Sequence, residues 1–75
     1  MKNQVDIMNF EINQLLESIY FCYGYDFRNY ARASLERKIR HRVALSNLSS
    51  ISAMNEKIIY EPDFFNLFLK VMLTK

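Results

Sequence analysis

Apolar residues recur at helical spacing through most of this chain, and no segment alternates apolar and polar residues as a strand does. The first predicted helix runs from Asp6 to Tyr23, because its apolar residues fall within an arc of about 120° at 100° per residue. That arc comprises Met8, Ile12, Leu15, Leu16, Ile19, Cys22 and Tyr23, and it leaves out Phe10 and Phe21. Asp6 is the candidate N-cap, and Gly24 can adopt the left-handed conformation that ends helices.

Three more helices are predicted downstream. The second runs from near Arg28 to Ser46 or Asn47, with apolar residues at every fourth position: Ala31, Leu35, Ile39 and Val43. The third spans about residues 51–60, with Ser49 or Ser50 as N-cap and Ile51, Met54 and Ile58 facing inward. The fourth spans Pro62 to Thr74, since proline suits the first turn of a helix. The predicted fold is all-α, a small four-helix bundle-like domain.

Length and composition favour a single folded domain that spans residues 1–75. A chain of 75 residues buries only about 60% of its unfolded surface, which does not support two cores. Half of the residues are hydrophobic, and the chain has one glycine and one proline, unlike a disordered segment. No apolar run reaches the roughly 18 residues of a membrane span, and the first residues lack the apolar core of a signal peptide. We therefore expect a cytoplasmic protein without membrane insertion.

Residues that could support catalysis are few and isolated. His41 stands between Arg40 and Arg42 without a nucleophile or carboxylate at a spacing that would form a dyad. Cys22 is the single cysteine, which excludes an intrachain disulfide, and its place on the apolar arc predicts a core residue. Gly24 is the only glycine, so no glycine-rich phosphate loop exists. We expect no catalytic, cofactor-binding or metal-binding residues, and no enzymatic activity from this chain alone.

The second helix carries a concentration of positive charge. Six of the ten cationic residues lie between positions 28 and 42, where the only acid is Glu36. They are Arg28, Arg32, Arg37, Lys38, Arg40 and Arg42. Guanidinium groups bind carboxylates and phosphates, so this set predicts a binding site for an acidic protein surface or a nucleic-acid backbone. The alternative is a solvated helix face without a binding role.

The fourth helix carries an unusually broad apolar arc of about 240°, more than a single neighbour would cover. Such a surface is typical of an interface, and the candidate residues for a domain or dimer contact are Phe64, Phe65, Phe68, Leu69 and Met72. Equally, the fourth helix could be a central one that the other three enclose.

Several short motifs, in order, resemble one known family. They are Ile19-Tyr20, Gly24-Tyr25-Asp26-Phe27, Leu35-x-x-Lys38-Ile39-x-x-Arg42-Val43, Ser49-Ser50-Ile51 and Leu73-Thr74. This order and spacing is similar to the N-terminal helical domain of CheR-type chemotaxis receptor methyltransferases, and the resemblance covers nearly the whole chain. The departures are Lys38 in place of arginine, Ser46-Asn47 in place of a glycine, Met54 in place of tyrosine, and Phe64-Phe65 in a stretch that is usually more acidic.

The resemblance implies a role in substrate recognition for signal transduction in chemotaxis. Members of the family methylate receptor glutamates with S-adenosylmethionine, in a catalytic domain that follows the helical one and is absent from these residues. The basic second helix would face the acidic cytoplasmic helices of the receptor. Lys38 and Arg42 occupy positions of the family motif, so the resemblance implies this role for them most directly. The broad arc of the fourth helix would then pack partly against the C-terminal methyltransferase domain.

Two other classes of function remain open from the sequence. One is a small helical domain that binds nucleic acid through the basic helix, although the link between the first two helices lacks a helix-turn-helix signature and the net charge is only +2. We do not expect nucleic acid to be the partner. The other is a stand-alone interaction module that forms a homodimer through the fourth helix.

Overall fold

The computed structural model describes residues 1–73, and these form four α-helices and no strand. The helices are α1 (Gln4–Tyr23), α2 (Arg32–Leu45), α3 (Ile51–Tyr60) and α4 (Pro62–Leu73). The predicted all-α, four-helix fold is therefore confirmed, and α3 packs against each of the other three helices. Thr74, the predicted last residue of the fourth helix, lies outside the described residues.

The first helix begins earlier than its apolar pattern predicts. Asn3 is the N-cap, and its side-chain Oδ1 accepts a hydrogen bond of 2.9 Å from the backbone N–H of Asp6. The prediction of Asp6 as N-cap is wrong, because Asp6 already lies in the first turn, where its carboxylate favours the positive end of the helix dipole. Gly24 ends the helix as predicted, with a φ of 78° that side chains rarely adopt.

The second helix begins at Arg32, four residues after the predicted start. The segment before it forms turns, because the Asp26 carboxylate accepts from the Arg28 backbone N–H at 3.0 Å and the Phe27 carbonyl accepts from Tyr30 at 3.1 Å. Phe27 anchors this segment with a ring that is 3% exposed. Sequence reasoning assigned Phe27 to a link, so this core residue was missed.

The end of α2 uses asparagine where glycine is common. Asn47 has a φ of 55°, its N–H bonds to the carbonyl of Ala44, and the N–H of Leu48 bonds to the carbonyl of Val43. These two bonds form the Schellman motif, which satisfies carbonyls left unpaired at a helix end. Leu48 and Val43 also pack against the core, which fixes the direction of the chain toward α3.

The third and fourth helices follow their predicted boundaries closely. Ser50 caps α3 by accepting from the Ala53 N–H at 3.0 Å, as predicted. Glu61 separates the two helices, and Pro62 occupies the first position of α4. Proline has no N–H, so it cannot donate to the Ile58 carbonyl in the last turn of α3. The Tyr23 hydroxyl of α1 donates to that carbonyl instead, at 2.6 Å.

All four helices contribute to a single core. Its buried members come mainly from the predicted stripes: Ile12, Leu15, Leu16, Ile19, Leu35, Ile39, Ile51, Met54, Ile58, Phe64, Phe65, Phe68 and Met72, with Phe27 from the turn. Two predictions within the stripes are wrong. Cys22 is exposed, because Tyr23 is the residue of that last turn that packs against the core. Ala31 is also exposed, since it is the N-cap residue of α2.

The broad apolar arc of α4 is mostly covered from within the domain. The structure buries Phe64, Phe65, Phe68 and Met72 and partly buries Leu69. The prediction that these five side chains form an exposed interface is therefore wrong. These side chains are covered within the domain, since α2 and α3 pack against α4 and Tyr23 of α1 stacks on Phe65 at 3.9 Å between ring centroids. The central helix is nevertheless α3 and not α4, because α3 packs against each of the others. The apolar side chains that α4 leaves exposed are Leu67 and Leu73.

Among the described residues, no helix has the length and hydrophobicity needed to cross a bilayer.

Candidate functional site on the second helix

Burial of two residues sets the orientation of α2. Leu35 is 1% exposed and Ile39 is fully buried, so the side of the helix that carries them faces α3 and α4. Residues about 180° away on the helix face solvent, and residues flanking the buried stripe lie at the edges of the interface. The position of each cation relative to this stripe decides what it can contact.

Arg37 and Arg40 lie on the outer face of α2, together with His41 and Ala33. These residues line one shallow depression, with Glu36 at its edge. Arg37 is exposed and has no hydrogen bond or ion pair with any other described residue. Arg40 is paired with Glu36 at 3.7 Å, but its side chain remains 65% exposed. Exposed i, i+4 pairs of this kind stabilise a helix by only about 0.3–0.5 kcal/mol. We call Arg37, Arg40 and His41 the basic ridge.

Lys38 and Arg42 lie on the opposite side, at the interface with α4. The Lys38 ammonium donates to the carbonyl of Met72 at 3.2 Å, in the last turn of α4, where the helix dipole favours a cation. The Arg42 guanidinium lies 5.7 Å from the centroid of the Phe64 ring, and Lys57 lies 5.4 Å from the same ring. Distances below about 6 Å are those of cation–π contacts. Both α2 cations therefore hold α4 against α2.

Arg28 and Arg32 are directed toward α1. The Arg28 guanidinium donates two hydrogen bonds of 2.8 Å to the Asp26 carboxylate and lies 4.7 Å from the centroid of the Tyr20 ring. Arg32 donates to the side chain of Asn13 at 3.0 Å and to the carbonyl of Asn9 at 3.3 Å. These contacts connect the α1–α2 segment and the start of α2 to α1.

The six predicted cations therefore do not form one surface. The structure divides them into three pairs: Arg28 and Arg32 against α1, Lys38 and Arg42 against α4, and Arg37 and Arg40 toward solvent. At 100° per residue, the sequence alone puts Arg37, Arg40 and His41 opposite Ile39. It also puts Lys38 and Arg42 beside the buried stripe, and the structure agrees with both placements. The contacts of Arg32, Lys38 and Arg42 could not be predicted from spacing, because their partners are distant in sequence.

Other chemistry is sparse in the part of the chain that the structure describes. Residues 1–73 hold no group of three or more His, Cys, Asp or Glu side chains placed to bind a metal ion. The carboxylate of Glu11 accepts from the backbone N–H and the hydroxyl of Ser52, at the start of α3. That carboxylate joins α1 to α3 and therefore has a structural explanation.

The Asp26–Arg28 pair gives a prediction that can be checked by titration. Hydrogen bonds from the Arg28 side chain and backbone hold the pKa of Asp26 at about 2, below its usual 3.8. Because the folded-state pKa is lowered, any stability from this pair is present above pH 3.8 and is lost as the pH falls toward 2. The variant Arg28→Gln should raise the pKa of Asp26 toward 3.8 in an NMR titration of the carboxyl carbon. An unchanged pKa would contradict the assigned bonds.

Comparison with known proteins places this small helical domain among the all-alpha domains of methyltransferases. The family model described as CheR methyltransferase, all-alpha domain, matches residues 11–73. This chain belongs to that family. It is also 39% identical, over 62 residues, to a protein of Pseudomonas putida named "Putative methyltransferase Cher3". The aligned region is 83% of this chain and 23% of that relative, so the chain spans less than a quarter of the relative's length. No solved structure gave a significant match.

Proposed function

We propose that this domain recognises acidic helices of a chemotaxis receptor through the basic ridge of α2, on behalf of a methyltransferase domain. Membership of the family supports a connection with methyl transfer. The observation that carries the recognition role is the exposure of Arg37 and Arg40 on one face of α2, where Arg37 has no partner among the described residues. Guanidinium groups placed in this way attract and orient carboxylates.

The proposed reaction takes place outside these residues. Transfer of a methyl group from S-adenosylmethionine to a receptor glutamate would occur in a following catalytic domain. Gly24 is the only glycine of this chain, so a glycine-rich loop that approaches the cofactor would have to belong to that following domain. What this chain contributes is the position and the electrostatic attraction of the substrate.

The contacts of the cations decide which of them should be substituted to test recognition of an acidic partner. Lys38 and Arg42 contact α4, so reversing their charge would disturb folding and binding together. The pair Arg37 and Arg40 is more informative because both side chains are exposed. Arg28 and Arg32 provide a charge-matched control, because neutralising them lowers the net charge by the same amount at a different place. Since both also contact α1 or the segment before α2, this control is valid only if circular dichroism shows that the variant is folded.

We expect the double variant Arg37→Gln, Arg40→Gln to bind a helical peptide rich in glutamate about tenfold more weakly than the wild type, which corresponds to about 1.4 kcal/mol. The control Arg28→Gln, Arg32→Gln should change the affinity by less than about twofold. Binding is measured by calorimetry at low and high salt, with circular dichroism to confirm folding. Wild-type affinity should fall with salt, and that of the ridge variant should fall less.

The outcomes separate the competing explanations. Equal losses of peptide affinity in the two double variants would contradict a specific role of the basic ridge, because only the total charge would matter. Unchanged affinity in both variants would also contradict the proposal. A salt-dependent complex with duplex DNA that is stronger than the peptide complex would instead support the nucleic-acid alternative.

A further inference from the structure

A second surface feature adjoins the basic ridge. The first turns of α1 and the last turns of α2 enclose an open groove of about 680 Å³. Its lining combines apolar residues, among them Val5, Met8, Val43, Ala44 and Leu48, with polar ones that include Gln4, Ser49 and Ser50. Met8, Val43 and Leu48 are packed against the core and form the floor, whereas Val5 is 59% exposed at the edge. Ile7, another lining residue, is also exposed.

The groove and the ridge share a residue. Arg40 lines the apolar groove and also lines the depression that contains Arg37 and His41. The two surfaces are therefore continuous, with apolar side chains on one side of Arg40 and a second guanidinium on the other. An exposed apolar groove next to a basic edge is the arrangement that binds amphipathic helices with acidic residues beside their apolar face.

One acidic residue in the groove favours a particular orientation of the bound helix. Glu11 lines the side formed by α1, and its carboxylate is held by Ser52. A partner carboxylate near Glu11 would be repelled, whereas one near Arg40 would be attracted. The acidic edge of the partner helix should therefore lie along α2, and its apolar side chains should point toward α1.

We infer that the groove and the basic ridge form one docking site for an amphipathic acidic helix. This inference rests on the proposed function and extends it, because it specifies that the partner needs an apolar face as well as glutamates. Charge complementarity selects this occupant over an uncharged helix, since Arg37 and Arg40 would otherwise face a surface that offers them no carboxylate. The ridge would increase the association rate, and the groove would select partners whose apolar residues are in register with their acids.

The test uses two peptides with the same glutamates and the same length. In one, the face beside the glutamates carries leucine and alanine, and in the other that face carries serine and glutamine. The wild-type chain should bind the amphipathic peptide about tenfold more tightly than the polar one. The groove variant Val5→Gln, Ala44→Gln should bind both peptides with similar affinity, and its binding should remain sensitive to salt. Phe21→Gln with Leu67→Gln is the control, since it also removes two exposed apolar side chains, outside the groove.

Each result has a distinct meaning. If the wild type binds both peptides equally while the ridge variant weakens both, the groove inference is overturned and the proposed function stands. If the groove variant loses the preference while the ridge variant binds like the wild type, the proposed role of the ridge fails, and with it the combined docking site. If the wild type dimerises in sedimentation experiments and the groove variant does not, a second copy of the chain occupies the groove and the inference is wrong.

Discussion

The substitution Phe68→Ala is expected to destabilise the domain by about 3–5 kcal/mol. Phe68 is fully buried, and its ring lies 6.4 Å from that of Phe65 at the centre of the packing of α4. A core of this size supplies only about 3–5 kcal/mol of net stability, so the variant should be largely unfolded at 25 °C. Circular dichroism and urea denaturation measure the effect directly.

The preceding residue provides the control. Leu67 is 50% exposed on the other side of α4, so Leu67→Ala should change the free energy of unfolding by no more than about 0.5 kcal/mol. Similar losses for the two substitutions would mean that α4 is not oriented as described. A stable, helical Phe68→Ala variant would contradict the assignment of this ring to the core.

The substitution Tyr23→Ala should cost about 3 kcal/mol, the second largest effect that we expect. Tyr23 stacks on Phe65 with an interplanar angle of 4°, and its hydroxyl donates to the Ile58 carbonyl. Burial raises the pKa of this hydroxyl above its usual 10, so it stays protonated and able to donate to a higher pH than an exposed tyrosine does. The residue therefore combines aromatic packing with a hydrogen bond that the backbone at Pro62 cannot supply.

The variant Tyr23→Phe separates these two contributions. It keeps the ring and removes the hydroxyl, which should cost about 1–2 kcal/mol because the Ile58 carbonyl loses its donor. Denaturant unfolding of the wild type and both variants gives the two values. A phenylalanine variant as stable as the wild type would mean that water replaces the hydroxyl, and one as unstable as Tyr23→Ala would mean that the stacking contributes little.

The sequence was sufficient for features of the fold that depend on neighbouring residues. The spacing of Ile12, Leu15 and Ile19 predicted the buried face of α1, and Ser50 and Pro62 predicted where two helices begin. Prediction from the sequence failed where the chain leaves regular secondary structure. Phe27 enters the core from a turn, and no periodic pattern marks such a position. The breadth of the apolar arc of α4 suggested an external partner, but the other helices bury most of it.

The candidate site was harder to predict for a physical reason. A charge pattern shows which residues are cationic, but the direction of a long side chain depends on what surrounds it after folding. Lys38 bonds to α4 and Arg32 bonds to α1, across separations of 34 and 19 residues, respectively. Helical geometry alone places Arg37 and Arg40 away from the buried stripe and Lys38 and Arg42 beside it. It does not identify the residues that these side chains contact. The groove beside them required the structure, because its walls come from α1 and α2.

This division of the cations also gives a reason for the charge concentration on α2. The cations that contact α1 and α4 fix the orientation of the helix, and that orientation exposes the basic ridge. A single basic helix can therefore serve both the packing of the domain and the recognition of a partner. In this account, folding and binding depend on different members of the same set.

Docking of an acidic helix on the outer face of α2 can be observed residue by residue. The most direct test is NMR titration of the isotope-labelled chain with the amphipathic acidic peptide, following the backbone amide signals. We expect saturable shifts that concentrate at Ala33, Arg37, Arg40, His41 and Ala44. Shifts confined to Arg28, Arg32 and the adjoining surface of α1, or no saturable shifts at all, would contradict docking on this face.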